Sequence, residues 1–223
     1  MIKAIILRYL TFIAGLYFLS LGIVLIVAST LGTTPISSVN YVVTLHTPIT
    51  LGTATFLINV LLIAGQFWLI RSGLGTRKDR IEILLQLPFS LVFSIFIDIN
   101  MAFIGSVEPT SYPMALAMLG AGCLSQATGV VLELKPNVAI MSAEGFVKYA
   151  ARRYNKDFGR LKVIFDVVLV SSALLLGIAC SGHIEGVREG TVIAALSTGF
   201  IVSFLSRHVF TRATLRHLPF LHS

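Results

Sequence analysis

Asp166 is a carboxylic acid set in the apolar run from Val163 to Val170. A charged side chain held in hydrocarbon costs at least about 2.5–3.5 kcal/mol, so such a group faces a bundle interior or a cavity and marks a substrate, ion or proton path. A structural reading stands beside it. Lys162 lies four residues earlier on the same helix face, where it could neutralise the acid. Other polar groups fall in similar surroundings: Asn59 inside one apolar stretch and Gln86 inside another, four residues after Glu82. Pro88 follows and frees the carbonyl of Leu84 from its helical partner, leaving an acceptor for a cation or a water. Ser37, Asn40 and Glu144 sit in two shorter segments that begin beside prolines. Ser37, Asn40, Asn59, Gln86, Glu144 and Asp166 are the candidate substrate-binding residues. The chemistry they offer is hydrogen bonding and proton or cation exchange. No paired catalytic groups, nucleophile motif, metal-ligand cluster or phosphate loop accompanies them, so neither an enzyme nor a bound cofactor is expected.

The elements that must position these groups are membrane helices. Of 223 residues, 56% are hydrophobic and only 12% charged, against about a quarter charged in a soluble domain. Mean hydropathy is +0.89. A crossing helix needs about 20 apolar residues, and six stretches qualify: Arg8 to Leu31, Leu51 to Ile70, Ile81 to Ile104, Pro113 to Glu133, Gly159 to Cys180 and Thr191 to Ser206. Connections are short, so residues 1–223 form a single membrane domain. The first stretch is too long for a signal-peptide core and is kept as a span. Cys123 and Cys180 both fall within spans and are expected to be small buried residues. The Gly and Ser residues of spans one and four, among them Gly15, Gly22, Gly120, Gly122 and Gly129, predict close helix packing.

The second half restates the first. Ile36 to Val42 (ISSVNYV) is echoed by Met141 to Val147 (MSAEGFV). Gly52 and Asn59 recur as Gly159 and Asp166 at the same spacing, and Leu87 to Asp98 aligns with Leu196 to Arg207. Three spans per copy force the copies into opposite orientations. The expected fold is all-α and polytopic: six transmembrane helices as two inverted three-span repeats, residues 8–104 and 113–208, followed by a cytoplasmic tail, 209–223. Inverted repeats suit a protein that offers one central site to each side of a membrane in turn.

Each repeat carries an extra short segment after its first span, Pro35 to His46 and Pro136 to Asn155. A helix starting at membrane depth presents unpaired N–H groups and the positive end of its dipole. Thr33, Thr34, Ser37, Ser38 and Asn40 occupy the first start, and Asn137, Ser142 and Glu144 the second. The first segment is expected to be re-entrant. The second, with Lys148, Arg152, Arg153 and Lys156, reads as an amphipathic helix along the inner interface.

Charge predicts orientation. With the N-terminus inside, 16 of 17 Lys and Arg fall on the inner side, Arg212 and Arg216 of the tail included; Arg188 alone falls outside. Enrichment of Lys and Arg on the cytoplasmic side sets orientation, so both termini are expected in the cytoplasm. The net charge of +7 follows from the same bias, and membrane lipids rather than nucleic acid are the expected partners. Asp98 near the outer end of span three, its repeat mate Arg207 at the inner end of span six, and the outer cation Arg188 are candidate gating residues. Each also stands where a charged residue anchors a helix end, and Arg188 could instead pair with Glu185 or Glu108. A homo-oligomer is compatible with these features.

Several of these runs resemble the YczE/YitT-type integral membrane proteins of bacteria: Leu31 to Ser38 (LGTTPISS), Leu85 to Pro88 (LQLP), Met141 to Val147, Phe158 to Asp166 (FGRLKVIFD) and Gly186 to Ala195 (GVREGTVIAA). The resemblance covers nearly the whole chain up to His208, and the VREGT element is its most specific part. It implies a multi-span protein of the bacterial inner membrane and adds little about the solute. The expected function is secondary transport of a small neutral, zwitterionic or cationic solute, with Asp166 as proton or cation partner. The alternatives are a non-transporting regulator or assembly factor, and the substrate-binding component of a larger importer.

Overall fold

The computed structural model describes residues 2–71 and 75–209, and the regular secondary structure among them is all helical. In order these are α1 (Ile2–Ala28), α2 (Pro35–His46), α3 (Leu51–Ile70), α4 (Arg77–Ile104), α5 (Tyr112–Leu134), α6 (Ser142–Tyr154), α7 (Phe158–Ser181) and α8 (Glu189–Phe204). A π-helical turn, Leu205–Val209, continues α8. Six of the helices, α1, α3, α4, α5, α7 and α8, are long and apolar enough to cross a membrane, so the chain is a multi-pass membrane protein. The tail with Arg212 and Arg216 lies outside the described residues.

Local chemistry sets the helix starts. Thr34 caps α2 by accepting from the Ser37 amide, with Pro35 at the first helical position, where a missing N–H costs nothing. Thr50 caps α3, and Thr76 with Asp79 forms a reciprocal capping box at α4. Asn155 ends α6 in the left-handed region, and Asp157 then caps α7. Each cap stabilises by about 1 kcal/mol. Pro88 sits inside α4 without ending it.

At the centre α1 and α5 run antiparallel in near backbone contact. A Cβ on Gly15 would stand 2.7 Å from the Glu133 amide nitrogen, and one on Gly22 2.6 Å from that of Gln126. Gly122 and Gly129 are equally confined, whereas Gly120 has open space beside it. Lipid tails are as apolar as the helices, so contact of this closeness is what holds membrane helices together. Phe12, Leu16, Leu19 and Ile23 of α1 pack with Phe93 and Ile97 of α4 in the main core. Cys123 is buried as expected. Cys180 is not: it lies exposed on the outward face of α7, because α7 contributes little to the core.

The remaining helices attach around this pair in matched fashion. α4 packs on α1 and α8 on α5; α2 packs on α7 and α6 on α3; α2 also touches α3, and α6 touches α7. One pairing is unequal. α3 lies against α4, whereas α7 and α8 barely touch. Between α3 and α4, Asp98 accepts from the Gly52 amide and from Thr50 Oγ1, both at 2.8 Å. Between α7 and α8 lies an apolar cleft of about 420 Å³, bounded by Val163, Val167, Val170, Val192 and Leu196.

The short helices cover only part of the long ones they accompany. Ser142 at the start of α6 bonds Asn59 near the middle of α3, and Arg153 near its end bonds the carbonyls of Trp68 and Leu69 at the end of α3. Ser142, Ala143, Gly145 and Val147 are buried. The first turns of α6 are thus buried, whereas Arg152 and Tyr154 in its last turn are exposed. On the opposite side, Pro35 lies beside Asp166 of α7, while His46 at the other end of α2 reaches Glu185 beyond the end of α7.

Candidate functional site

The starts of α2 and α6 converge on a cavity of about 140 Å³. Ser37 and Asn40 reach it from α2, Asn59 and Thr55 from α3, Gln126 and Glu133 from α5, and Ser142 and Glu144 from α6. Leu19 and Ile23 of α1, Phe93 of α4 and Leu169 of α7 complete its largely apolar wall. Ser37, Asn40, Asn59 and Glu144 thus line one cavity.

The polar groups here are only partly satisfied. Asn40 donates from Nδ2 to Thr55 Oγ1 at 3.0 Å, and its Oδ1 has no partner. Asn59 accepts from Ser142 Oγ at 2.6 Å, and its Nδ2 has none. Gln126 leaves Oε1 bare as well. Asn40 is 3% and Asn59 7% exposed, so these are buried hydrogen-bonding atoms, each of which costs about 1–3 kcal/mol while unpaired. Three such atoms belong to residues that line this one small cavity.

Glu133 is the residue that sequence reasoning passed over. It lies at the end of a span next to Lys135 and reads as an interfacial acid. Instead it is 6% exposed and packed at the level of Gly15, near the middle of α1, with the Met141 amide donating to it. The signal available was the break in the chain at Pro136: a span interrupted there ends inside the protein, so its last acid does too.

Two expected residues lie elsewhere. Gln86 is fully buried but does not line the cavity. It makes a reciprocal amide pair with Gln66, at 2.7 and 3.0 Å, and Gln66 Nε2 also donates to the Ser142 carbonyl. Gly145 makes room for the pair, since a Cβ there would stand 2.7 Å from both side chains. Gln86 therefore fixes the start of α6 and has no amide atom left over. Asp166 accepts from Lys162 Nζ at 2.8 Å, both half-buried. It lines a neighbouring space together with Lys162, Thr34 and Glu144. Glu144 and Gln126 border both spaces.

The candidate gating residues divide similarly. Asp98 caps α3 from α4, as described. Arg188 is exposed; its guanidinium donates to the Thr30 carbonyl at 3.1 Å and pairs with Glu189 at 3.4 Å, not with Glu185 or Glu108. Glu185 is taken by His46 at 2.6 Å, and that bond holds its carboxyl below the usual carboxylate range. Arg207 is exposed in the π-helical turn. The VREGT element serves as a latch for the turn between α1 and α2. The Gly190 amide donates to the Leu31 carbonyl at 2.8 Å, and the Thr33 amide donates to Thr191 Oγ1 at 3.1 Å. Gly32, at φ +133°, is required in that turn, because a Cβ would stand 2.5 Å from Thr191 Oγ1.

Charged partners near the other end order α6. Arg152 bonds Asp79 at 2.9 Å and Lys148 bonds Glu82 at 2.6 Å. Among the described residues no group of three His, Cys, Asp or Glu side chains is arranged to hold a metal ion.

The chain belongs to a protein family of unknown function (DUF6198), which matches residues 6–207. No curated protein and no solved structure matches it.

Proposed function

We propose that this chain is a secondary transporter of the bacterial inner membrane, carrying a small solute by alternating access around the cavity between α2 and α6. One observation carries the reading: a small cavity, walled by crossing helices, holds buried amide atoms without partners and the carboxyl groups of Glu133 and Glu144 where the starts of two half-length helices meet. Discontinuous helices whose ends meet near the bilayer midplane are how many transporters build such a site.

The matched packing of α1–α4 and α5–α8 supports two inverted repeats related by an axis through the α1–α5 crossing. In this reading α2 and α6 are re-entrant half-helices, one opening toward each face. The resemblance to YczE/YitT-type proteins belongs to the same proposal. Lys148, Arg152 and Arg153 cluster with the α3–α4 turn, and that end is cytoplasmic by the distribution of Lys and Arg.

The inequality between the halves supplies the motion. α3 and α4 are joined at their outer end while α7 and α8 stand apart. Exchange of these two arrangements between the repeats would open the cavity to the opposite face. Reconstitution into proteoliposomes and screening of radiolabelled small metabolites for uptake tests the proposal. Saturable uptake that counterflow accelerates supports transport. Absence of uptake for every solute that measurably binds would instead favour a non-transporting receptor or regulator.

A further inference from the structure

We infer that the cavity between α2 and α6 binds a small organic cation bearing N–H donors, of the ammonium or guanidinium type. The inference rests on the proposed function for its biological meaning, but the site can be tested without transport. The polar groups on the cavity wall are mostly acceptors: the Glu133 and Glu144 carboxylates, together with Asn40 Oδ1 and Gln126 Oε1, which have no partner. The free donor among them is Asn59 Nδ2. No Lys, Arg or His is among the residues lining the cavity; Lys162 stands in the neighbouring space, bonded to Asp166.

A buried carboxylate without a cation is costly enough that it is met by a proton or by a positive ligand. A phosphate or carboxylate solute would face two acids and no cationic partner there, which the physics of anion recognition disfavours. A transition-metal ion is also poorly served, because no His or Cys lines the cavity. An N–H cation meets both requirements. Its head reaches Glu133, Glu144 and the two bare amide oxygens, and a short apolar body lies against Leu19, Ile23 and Phe93.

Full-length protein purified in nanodiscs would be titrated calorimetrically with methylammonium and guanidinium chloride at low millimolar concentrations. Sodium chloride at matched ionic strength and sodium acetate serve as comparisons. The expected result is saturable binding of at least one of the two nitrogen cations, with none for acetate. Glu133→Gln and Glu144→Gln should each weaken it by about tenfold or more, and Lys78→Gln, at an exposed position of α4, should leave it unchanged. Should Glu133→Gln fail to fold, the half-buried Glu144→Gln carries the same test. Binding of acetate in preference to the cations overturns the inference, as does cation binding that survives Glu144→Gln, or no binding of either cation. Cation binding without uptake in vesicles would leave this site standing and refute the transport reading alone.

Discussion

Ser142 Oγ, at the first position of α6, donates to Asn59 Oδ1, near the middle of α3, at 2.6 Å. That bond fixes the start of a short helix at the depth where a long one is half complete, and it places Glu144 one residue beyond Ala143 on the cavity wall. Asn59→Ala leaves the Ser142 hydroxyl buried without this acceptor, at a cost of about 1–3 kcal/mol. The expected outcome is a lowered unfolding temperature in detergent together with loss of ligand binding. Asn59→Asp, which keeps the acceptor, should recover most of the stability.

The Gln66–Gln86 pair beneath α6 makes a second prediction. Gly145→Ala places a methyl 2.7 Å from both amides and should destabilise by about 1–3 kcal/mol, as overpacking does. Gln86→Leu alone strands the Gln66 amide, whereas the double change Gln66→Leu with Gln86→Leu removes both partners. Measured by thermal unfolding, the double variant should be less damaged than the sum of the two single variants.

The repeat alignment pairs Thr50 with Asp157, Gly52 with Gly159, and Asp98 with Arg207. In the first repeat these residues join α3 to α4; in the second, no ion pair between Asp157 and Arg207 is present among the described residues, and Asp157 caps α7 alone. If the two halves exchange arrangements, closure of the α7–α8 cleft brings Asp157 and Arg207 together. Arg207→Asp should then slow uptake in vesicles, and adding Asp157→Arg should restore it. Failure of the reversed pair to rescue would remove these residues from the gate.

At the opposite end, His46 and Glu185 give a pH dependence with a definite sign. The Glu185 carboxyl is held below its ordinary value by the bond to His46, so the contribution of that bond is present above the ordinary carboxylate pKa of about 4.3. It is lost as pH falls through the depressed folded value. Thermal unfolding from neutral to acidic pH should therefore show a larger decline in the wild type than in Glu185→Gln. Equal declines would mean that the bond contributes nothing to the fold.

Helix number and the extents of the long helices were legible because hydrophobic length is a strong local signal: α3 spans Leu51–Ile70, the run read from sequence alone. The first short helix was legible through Thr34 and Pro35, which announce its start; the second was read from Pro136 but begins only at Ser142, because the chain after Pro136 runs on without helical structure before α6 forms. Side-chain direction was not. Gln86 and Asn59 look alike in sequence as amides within apolar runs, yet one is consumed by Gln66 and the other faces the cavity. That difference depends on where Gly145 brings α6 against α3, a relation across more than 50 residues of chain that no local pattern records. Asp166 stood out by charge, and its pairing with Lys162 at the i,i+4 spacing was foreseeable. Glu133 was missed for the converse reason, because an acid beside a lysine reads as interfacial until the break in the span is taken as a return into the protein.

The central claim, that one cavity serves both faces of the membrane, is most directly tested by labelling from each side. Cys123→Ser and Cys180→Ser remove the background thiols, and Ser37→Cys places a single thiol on the cavity wall. Sealed vesicles of known orientation would be treated with a membrane-impermeant maleimide from outside, and in a parallel sample from within. The account predicts modification from both sides, with the bound cation slowing both reactions. Modification from one side only, at every ligand concentration, would contradict it.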